Sequence, residues 1–108
     1  NFSFCSLSLD YDIPGNPDKK YKYAFLSILK EALANIIKHS NATSVRVSLR
    51  EHPALYQLVV KDNGTLESRQ KEAGLGLKNI ANRVEGLGGI VNFSSENGFT
   101  IFISIPKE

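Results

Sequence analysis

Glu31, Asn35 and Lys38 recur at steps of three and four residues in a stretch with helical periodicity. At about 100° per residue they fall within a sector of roughly 60°, with His39 at its border. A carboxylate, an amide and an ammonium group are therefore held one turn apart on one rigid surface, where they could act on a common polar ligand. An ordinary solvated helix face, with Glu31 and Asn35 as a neutral i,i+4 pair, explains the same spacing.

Asp62, Asn63 and Gly64 follow a strand rich in Val and Leu. An aspartate at such a strand end can be held half-buried by the backbone, and its carboxylate can accept a hydrogen bond from an exocyclic amine such as that of adenine. Gly64 has no Cβ and would let a flat ring come close to the chain. A turn that merely reverses the chain is the alternative interpretation of the same tripeptide.

Two glycines, Gly74 and Gly76, precede a predicted helix. They can turn free backbone N–H groups toward an anion, and the helix N-terminus adds a partial positive charge. A dinucleotide-binding fingerprint does not fit, because the preceding residues are a polar loop and the third glycine is missing. A flexible hinge remains the alternative. No serine or cysteine has a convincing base partner, which disfavours nucleophilic catalysis of the triad kind.

Hydrophobic periodicity predicts two helices that would position these groups. The first has Asp18 as its N-cap, ends near Ser40 and Asn41, and buries a stripe made of Phe25, Ile28, Leu29, Ala32, Leu33, Ile36 and Ile37. The second spans about residues 75–87, stops at Gly88 and Gly89, and buries a stripe made of Leu77, Ile80, Ala81, Val84 and Leu87.

Five strands are predicted from short apolar or alternating stretches. The first includes Phe2, Phe4, Leu7 and Leu9 and ends near residues 10–12, and the others span residues 44–50, 55–61, 90–95 and 99–105. A loop at 51–54 and a hairpin turn at 96–98 join neighbouring strands. The order of elements predicts an α+β fold, a two-layer sandwich in which one mixed sheet carries both helices on a single face.

The composition is that of one globular domain, residues 1–108, with 42% hydrophobic and 22% charged residues. A formal charge of +2 with scattered basic residues gives no indication of a nucleic-acid partner. Cys5 is the single cysteine, so neither a disulfide framework nor a Cys/His zinc site can be written. The chain has no apolar run of transmembrane length and no visible signal peptide. It contains no Met and opens on Asn1, and we expect it to be a piece of a longer protein.

The joint pattern is more specific than its parts. In chain order it consists of a helical Glu31-x-x-x-Asn35, a strand-end Asp62-x-Gly64, a polar loop, Gly74-x-Gly76 opening a helix, and Gly98-Phe99-Thr100 opening the last strand. It resembles the nucleotide-binding boxes of the GHKL ATPase superfamily (gyrase, heat-shock chaperone, histidine kinase and mismatch-repair ATPases), which have the Bergerat fold. The resemblance extends from about Tyr23 to Pro106. It is greatest, through runs 30–42, 74–83 and 100–106, to the catalytic ATP-binding (HATPase_c) domain of two-component sensor histidine kinases that pair with NarL-like response regulators.

The resemblance implies roles for individual residues. Asn35 would hold Mg²⁺ through its amide oxygen, a hard ligand for a hard cation, and Glu31 would order a water or polarise the reacting site. Asp62 would accept the adenine amine, Gly64 would let the ring lie close, and Thr100 would complete the adenine contact through its hydroxyl.

The phosphate end of the nucleotide is assigned by the same resemblance. The phosphates would be cradled by Gly74, Leu75, Gly76 and Leu77. Lys38 and His39 would add positive charge, and residues 65–73 would form a short lid over the nucleotide. ATP and Mg²⁺ are thus the implied cofactors.

Two departures from the family pattern stand out. Leu66 occupies the second glycine position of the usual Asp-x-Gly-x-Gly box, so the approach of the lid to the sugar or phosphates is expected to differ. Phe99 stands between the glycine and the threonine, where the family usually has no residue, and this loosens the assignment of Thr100. The chain shows no phosphoacceptor histidine, because His39 belongs to the helix motif and His52 to a surface loop.

The implied partners lie outside the chain. They are the phosphoacceptor-histidine dimerisation domain of the same protein and a response regulator of the NarL type. The full-length protein is expected to be a homodimer at the bacterial cell membrane, and this domain a cytoplasmic one that is monomeric in isolation. Two alternative functions remain at this stage: a GHKL-type ATPase or serine kinase resembling an anti-sigma factor, and a degenerate, non-catalytic interaction module.

Overall fold

The computed structural model describes residues 6–64 and 73–107, apart from the side chains of residues 39 and 73–75. Its elements are β1 (Ser6–Asp12), α1 (Lys19–His39), β2 (Ser44–Glu51), β3 (Leu55–Asp62), α2 (Ala73–Gly86), β4 (Ile90–Ser94) and β5 (Phe99–Pro106). The strands form one sheet in the order β1-β2-β3-β5-β4, in which β1 and β2 are parallel and the other neighbours antiparallel. The predicted α+β fold with a mixed sheet and two helices is confirmed.

Alternation along the central strands builds the core. Every second side chain of β2, β3 and β5 is buried against the helices, including Val47, Leu58 and Ile103. The two helices contribute buried aliphatic residues at helical spacing to the same core: Ile28, Ala32, Ile36, Ile80 and Val84. These local periods of 2 and 3.6 residues define the inner face of each element before any packing occurs.

One boundary and two side-chain environments differ from the sequence-based predictions. Ile37 is exposed, because it lies about 100° around the helix from the buried Ile36 and falls outside the packed stripe. Helix α2 begins at Ala73 rather than near residue 75, so both glycines lie in its first turn. Asp18 occupies the N-cap of α1 but makes no side-chain capping bond. The predicted part of the first strand around Phe2 and Phe4 lies outside the described residues.

A polar clamp closes the end of the sheet that lies far from Asp62. The Glu51 carboxylate accepts hydrogen bonds from Lys107 Nζ at 2.7 Å and from the Gly15 backbone N–H at 3.2 Å. The bond from Lys107, followed by the bond from Gly15, holds the pKa of Glu51 below its usual value. The loop before α1, the end of β2 and the chain after β5 are thereby joined.

Candidate functional site

The polar face of α1 meets the first turn of α2 rather than solvent. Asn35 is only 5% exposed and Glu31 is half-buried. A Cβ built on Gly76 would lie 3.1 Å from Glu31 Oε2 and 3.6 Å from Asn35 Oδ1. The two helices therefore meet so closely here that only a glycine fits without displacing the carboxylate. A solvated helix face does not describe Glu31 and Asn35, whereas Lys38 does remain exposed.

Two residues of α2 that the sequence analysis did not single out also lie beside Glu31. Asn79 Nδ2 donates a hydrogen bond to Glu31 Oε1 at 3.4 Å. Arg83 lines, with Glu31, an open groove of about 290 Å³ between the helices. Asn79 is three residues beyond Gly76 and so shares its helix face, which is the sequence signal that could have identified it.

Asn35 carries the chemistry expected of a metal ligand. Its buried side-chain amide makes no hydrogen bond to another described residue, and a buried amide without a partner is costly unless a ligand satisfies it. Within residues 6–64 and 73–107, no three His, Cys, Asp or Glu side chains cluster to hold a metal on their own. A single amide oxygen suits Mg²⁺, which takes few protein ligands and completes its shell with water and phosphate oxygens.

Asp62 is the second buried polar side chain of the site. It is 3% exposed and faces the helix layer at the end of β3. The Gly64 N–H donates to Asp62 Oδ1 at 2.8 Å, which orients the carboxylate. Asn63 accepts hydrogen bonds from the backbone of Thr43 and Ser44 at 2.8 and 3.0 Å and so secures the strand end. The tripeptide does end the strand, and it also directs one carboxylate inward.

Because Gly64 has no side chain, the end of α1 can pack close to the Asp62 carboxylate. A Cβ at Gly64 would lie 2.2 Å from Ser40 Oγ and 3.1 Å from Asn41 Oδ1. The space that a side chain would occupy is therefore filled by the C-terminal end of α1. The approach of a flat ring to Gly64, which the resemblance implies, stays a prediction.

Thr100 is not brought to Asp62. Thr100 pairs with Lys61 across β3 and β5, whereas Asp62 pairs with Phe99. Residues directly opposite in an antiparallel pair point to the same face, and successive residues point to opposite faces. The buried Thr100 side chain is thus on the face of the sheet away from the helices, beside the exposed Lys61. The residue that shares the helix-side face with Asp62 is Phe99.

The remaining predicted residues lie at the start of α2 or beyond what is described. Gly74, Leu75 and Gly76 lie in its first turn, where backbone N–H groups lack partners within the helix, and Leu77 follows directly. Leu77 is packed against the core through its side chain. The side chains of His39 and Leu75, and the predicted lid at 65–73 except for the helical backbone of Ala73, lie outside the described residues.

The fold and the positions of three candidate site residues indicate the class of protein to which this chain belongs. Asn35 on α1, Asp62 at the end of β3 and Gly76 on α2 are all buried in the layer between the helices and the sheet. A family model described as "Histidine kinase-, DNA gyrase B-, and HSP90-like ATPase" matches residues 22–108. The chain belongs to this family. None of its described helices is both long and apolar enough to cross a bilayer.

Similar proteins include named histidine kinases. Over 87 residues the chain is 36% identical to the signal transduction histidine-protein kinase/phosphatase DegS of Brevibacillus brevis, covering 77% of this chain and 22% of the relative. It is 32% identical to the nitrate/nitrite sensor protein NarQ of Escherichia coli, covering 97% of this chain and 19% of NarQ. The chain thus spans about a fifth of each of these relatives.

Solved structures share the fold. The histidine kinase domain of the Erythrobacter litoralis EL346 blue-light activated histidine kinase superimposes with a TM-score of 0.75 at 18% identity, covering 96% of this chain and 52% of that chain.

The close approach of Gly76 to Glu31 predicts that a substitution at Gly76 weakens ligand binding without lowering the stability of the domain. Gly76→Ala is expected to leave the thermal midpoint unchanged or to raise the stability by up to about 1 kcal/mol, because alanine favours helix. The same methyl group would displace the Glu31 carboxylate by a few tenths of an ångström. We therefore expect weaker Mg·ATP binding, measured by calorimetry, in a domain that is no less stable.

Gly86→Ala is the matched control for this prediction. Gly86 is a glycine of the same helix, and a Cβ built on it meets nothing within 4 Å. Its replacement should leave ATP affinity unchanged. Equal ATP affinities for Gly76→Ala and Gly86→Ala would contradict a functional role for the close contact between the two helices.

Proposed function

We propose that this chain is the ATP-binding catalytic domain of a sensor histidine kinase. The domain binds Mg·ATP and donates the γ-phosphoryl group to a histidine imidazole nitrogen on a separate helical dimerisation domain. The observation that supports this most directly is the burial of Asn35 and Asp62, two polar side chains from distant parts of the sequence, in one layer between helices and sheet. Burying a polar side chain is costly unless hydrogen bonds satisfy it, and the buried Asn35 amide makes no hydrogen bond to another described residue.

Asp62 recognises the base in this proposal. Its buried carboxylate accepts a hydrogen bond from the exocyclic amine of adenine, and the hydrogen bond from the Gly64 N–H fixes the orientation of the carboxylate. A base that carries a carbonyl oxygen instead of this amine, such as guanine, would place a partial negative charge against the negative carboxylate. Adenine is therefore favoured over guanine.

Asn35 and Glu31 act at the phosphates. Asn35 would hold Mg²⁺ through its amide oxygen, and the ion when bound would neutralise charge on the phosphate oxygens. Glu31, oriented by Asn79, orders a water or polarises the attacking imidazole. The N–H groups in the first turn of α2, which have no acceptor within the helix, donate hydrogen bonds to the phosphate oxygens, and Lys38 adds positive charge. Positioning and charge neutralisation do most of the work in such transfers.

The wider assignments extend the family resemblance to the full-length protein. The phosphoryl group passes from the histidine to an aspartate of a response regulator of the NarL type. The kinase is a homodimer through its dimerisation domain, and this domain works in the cytoplasm of a protein bound to the cell membrane. Sensor and kinase names among the similar proteins support a role in signal transduction.

The decisive experiment titrates this chain with ATP in the presence and absence of Mg²⁺ by calorimetry. We expect saturable one-site binding that is tighter with Mg²⁺ than without it. A chain that keeps its thermal unfolding transition but binds no ATP at millimolar concentration would refute the kinase assignment. That result would favour the alternative of an interaction module with a decayed nucleotide site.

A further inference from the structure

An aromatic residue occupies the sheet position beside the base-recognising carboxylate. Phe99 lies directly opposite Asp62 in the β3–β5 register and points to the same face. Side chains so paired have Cβ atoms about 4.5–5.5 Å apart. The hydroxyl of Thr100, one residue later, lies on the other face of the sheet. A ligand that reaches Asp62 therefore meets a phenyl ring there.

The turn before β5 holds this arrangement rigidly. Gly98 has φ +103°, and a Cβ on it would lie 2.1 Å from the Asp62 carbonyl oxygen and 3.2 Å from Asn63 Cα. The backbone of the turn thus packs directly on the backbone of the strand end. Because Gly98 immediately precedes Phe99, the backbone that carries the Phe99 ring is held close to the end of β3.

A second aromatic ring, that of Phe93, stacks on the ring of Phe99. The centroids of Phe93 and Phe99 are 6.0 Å apart, with 19° between the ring planes, which is a stacked arrangement. Phe93 pairs with the buried Ile101 and so lies on the helix-side face of the sheet, yet it is 41% exposed. Phe99 itself packs partly against the core. The two phenyl rings, here called the aromatic pair, form an apolar surface from Asp62 to the rim of the helix layer.

We propose that the aromatic pair is the stacking wall of the base subsite, with Phe99 as the residue that contacts the base. This inference rests on the proposed function, because it assumes that Asp62 takes the base amine. Aromatic rings bind the π-face of any base and carry no hydrogen-bond information. In this chain the wall therefore supplies affinity, and Asp62 alone distinguishes adenine from guanine.

The test compares two ligands that differ in the base. Wild type, Phe99→Ala and Phe102→Ala are titrated by calorimetry with ATP and with inorganic tripolyphosphate, all in Mg²⁺ buffer. Phe102 is the matched control, because it lies on the same strand, is 43% exposed and points to the opposite face. We expect Phe99→Ala to weaken ATP binding by about 5- to 150-fold. Tripolyphosphate binding should not change in any variant.

A second variant separates stacking from packing. Phe99→Leu keeps an apolar side chain in the core contact and removes only the aromatic ring. It should lose ATP affinity in the same direction as Phe99→Ala while retaining its thermal midpoint. Wild-type ATP affinity in Phe99→Leu would overturn the inference and leave the proposed function standing. Absence of ATP binding by the wild-type chain would overturn both.

Discussion

Replacement of Asn35 by alanine is expected to remove the Mg²⁺-dependent part of ATP binding and to abolish autophosphorylation in the kinase that contains this domain. Asn35 makes no hydrogen bond to another described residue, so the change breaks no hydrogen bond within the described part of the chain. A metal ion contributes several kcal/mol to transition-state stabilisation, and we expect the transfer rate to fall by about 100-fold or more. The measurements are calorimetry with and without Mg²⁺ and transfer of labelled phosphate.

Asn82→Ala provides the control for this experiment. Asn82 is an exposed asparagine on α2, so its loss removes the same functional group from a helix without touching the site. Both variants should unfold within about 1 kcal/mol of the wild type. If Asn35→Ala kept the Mg²⁺ dependence of ATP binding, the Asn35 amide would not be a metal ligand.

Conversion of Asp62 to asparagine should weaken ATP binding with or without the metal. The amide keeps an oxygen for the Gly64 N–H, but its NH₂ group would face the donor amine of adenine. A hydrogen bond to a charged group contributes about 1.5–3 kcal/mol, so the ATP dissociation constant should rise about 10- to 150-fold. Calorimetry measures this rise directly.

Asp62→Asn should also change the preference of the domain between adenine and guanine nucleotides. An asparagine NH₂ can donate to the carbonyl oxygen of guanine, so the ratio of ATP to GTP affinity should fall in Asp62→Asn. Asp12→Asn is the control, because Asp12 is an exposed aspartate on the edge strand β1. An unchanged ATP affinity in Asp62→Asn would exclude this carboxylate from base recognition.

The elements of the fold could be predicted from local patterns. Alternation in β2 and helical spacing in α1 indicated which residues would be buried, and Val47 and Ile28 are indeed buried. The exceptions lie at element ends. Ile37 near the end of α1 is exposed, and α2 begins at Ala73, two residues before its predicted start. Ends are where a helix receives the least support from packing, so a periodic pattern defines them poorly.

The site could be predicted only in part. Spacing placed Glu31 and Asn35 on one face, but it could not distinguish a solvated face from one that packs on α2. The hydrogen bond between Asn79 and Glu31 joins residues 48 positions apart. No local pattern contains that distance, so Asn79 was not predicted.

The sequence by itself determined which side chains share a face within each helix and strand, because the periods of 3.6 and 2 residues are properties of the local backbone. Only the tertiary structure decided which faces meet. The register of β5 on β3 sets Phe99, and not Thr100, beside Asp62, and a shift by one residue would exchange them. That register depends on the packing of the whole inner face, with Leu58 opposite Ile103 at its centre. It is a non-local property, which short motifs do not encode.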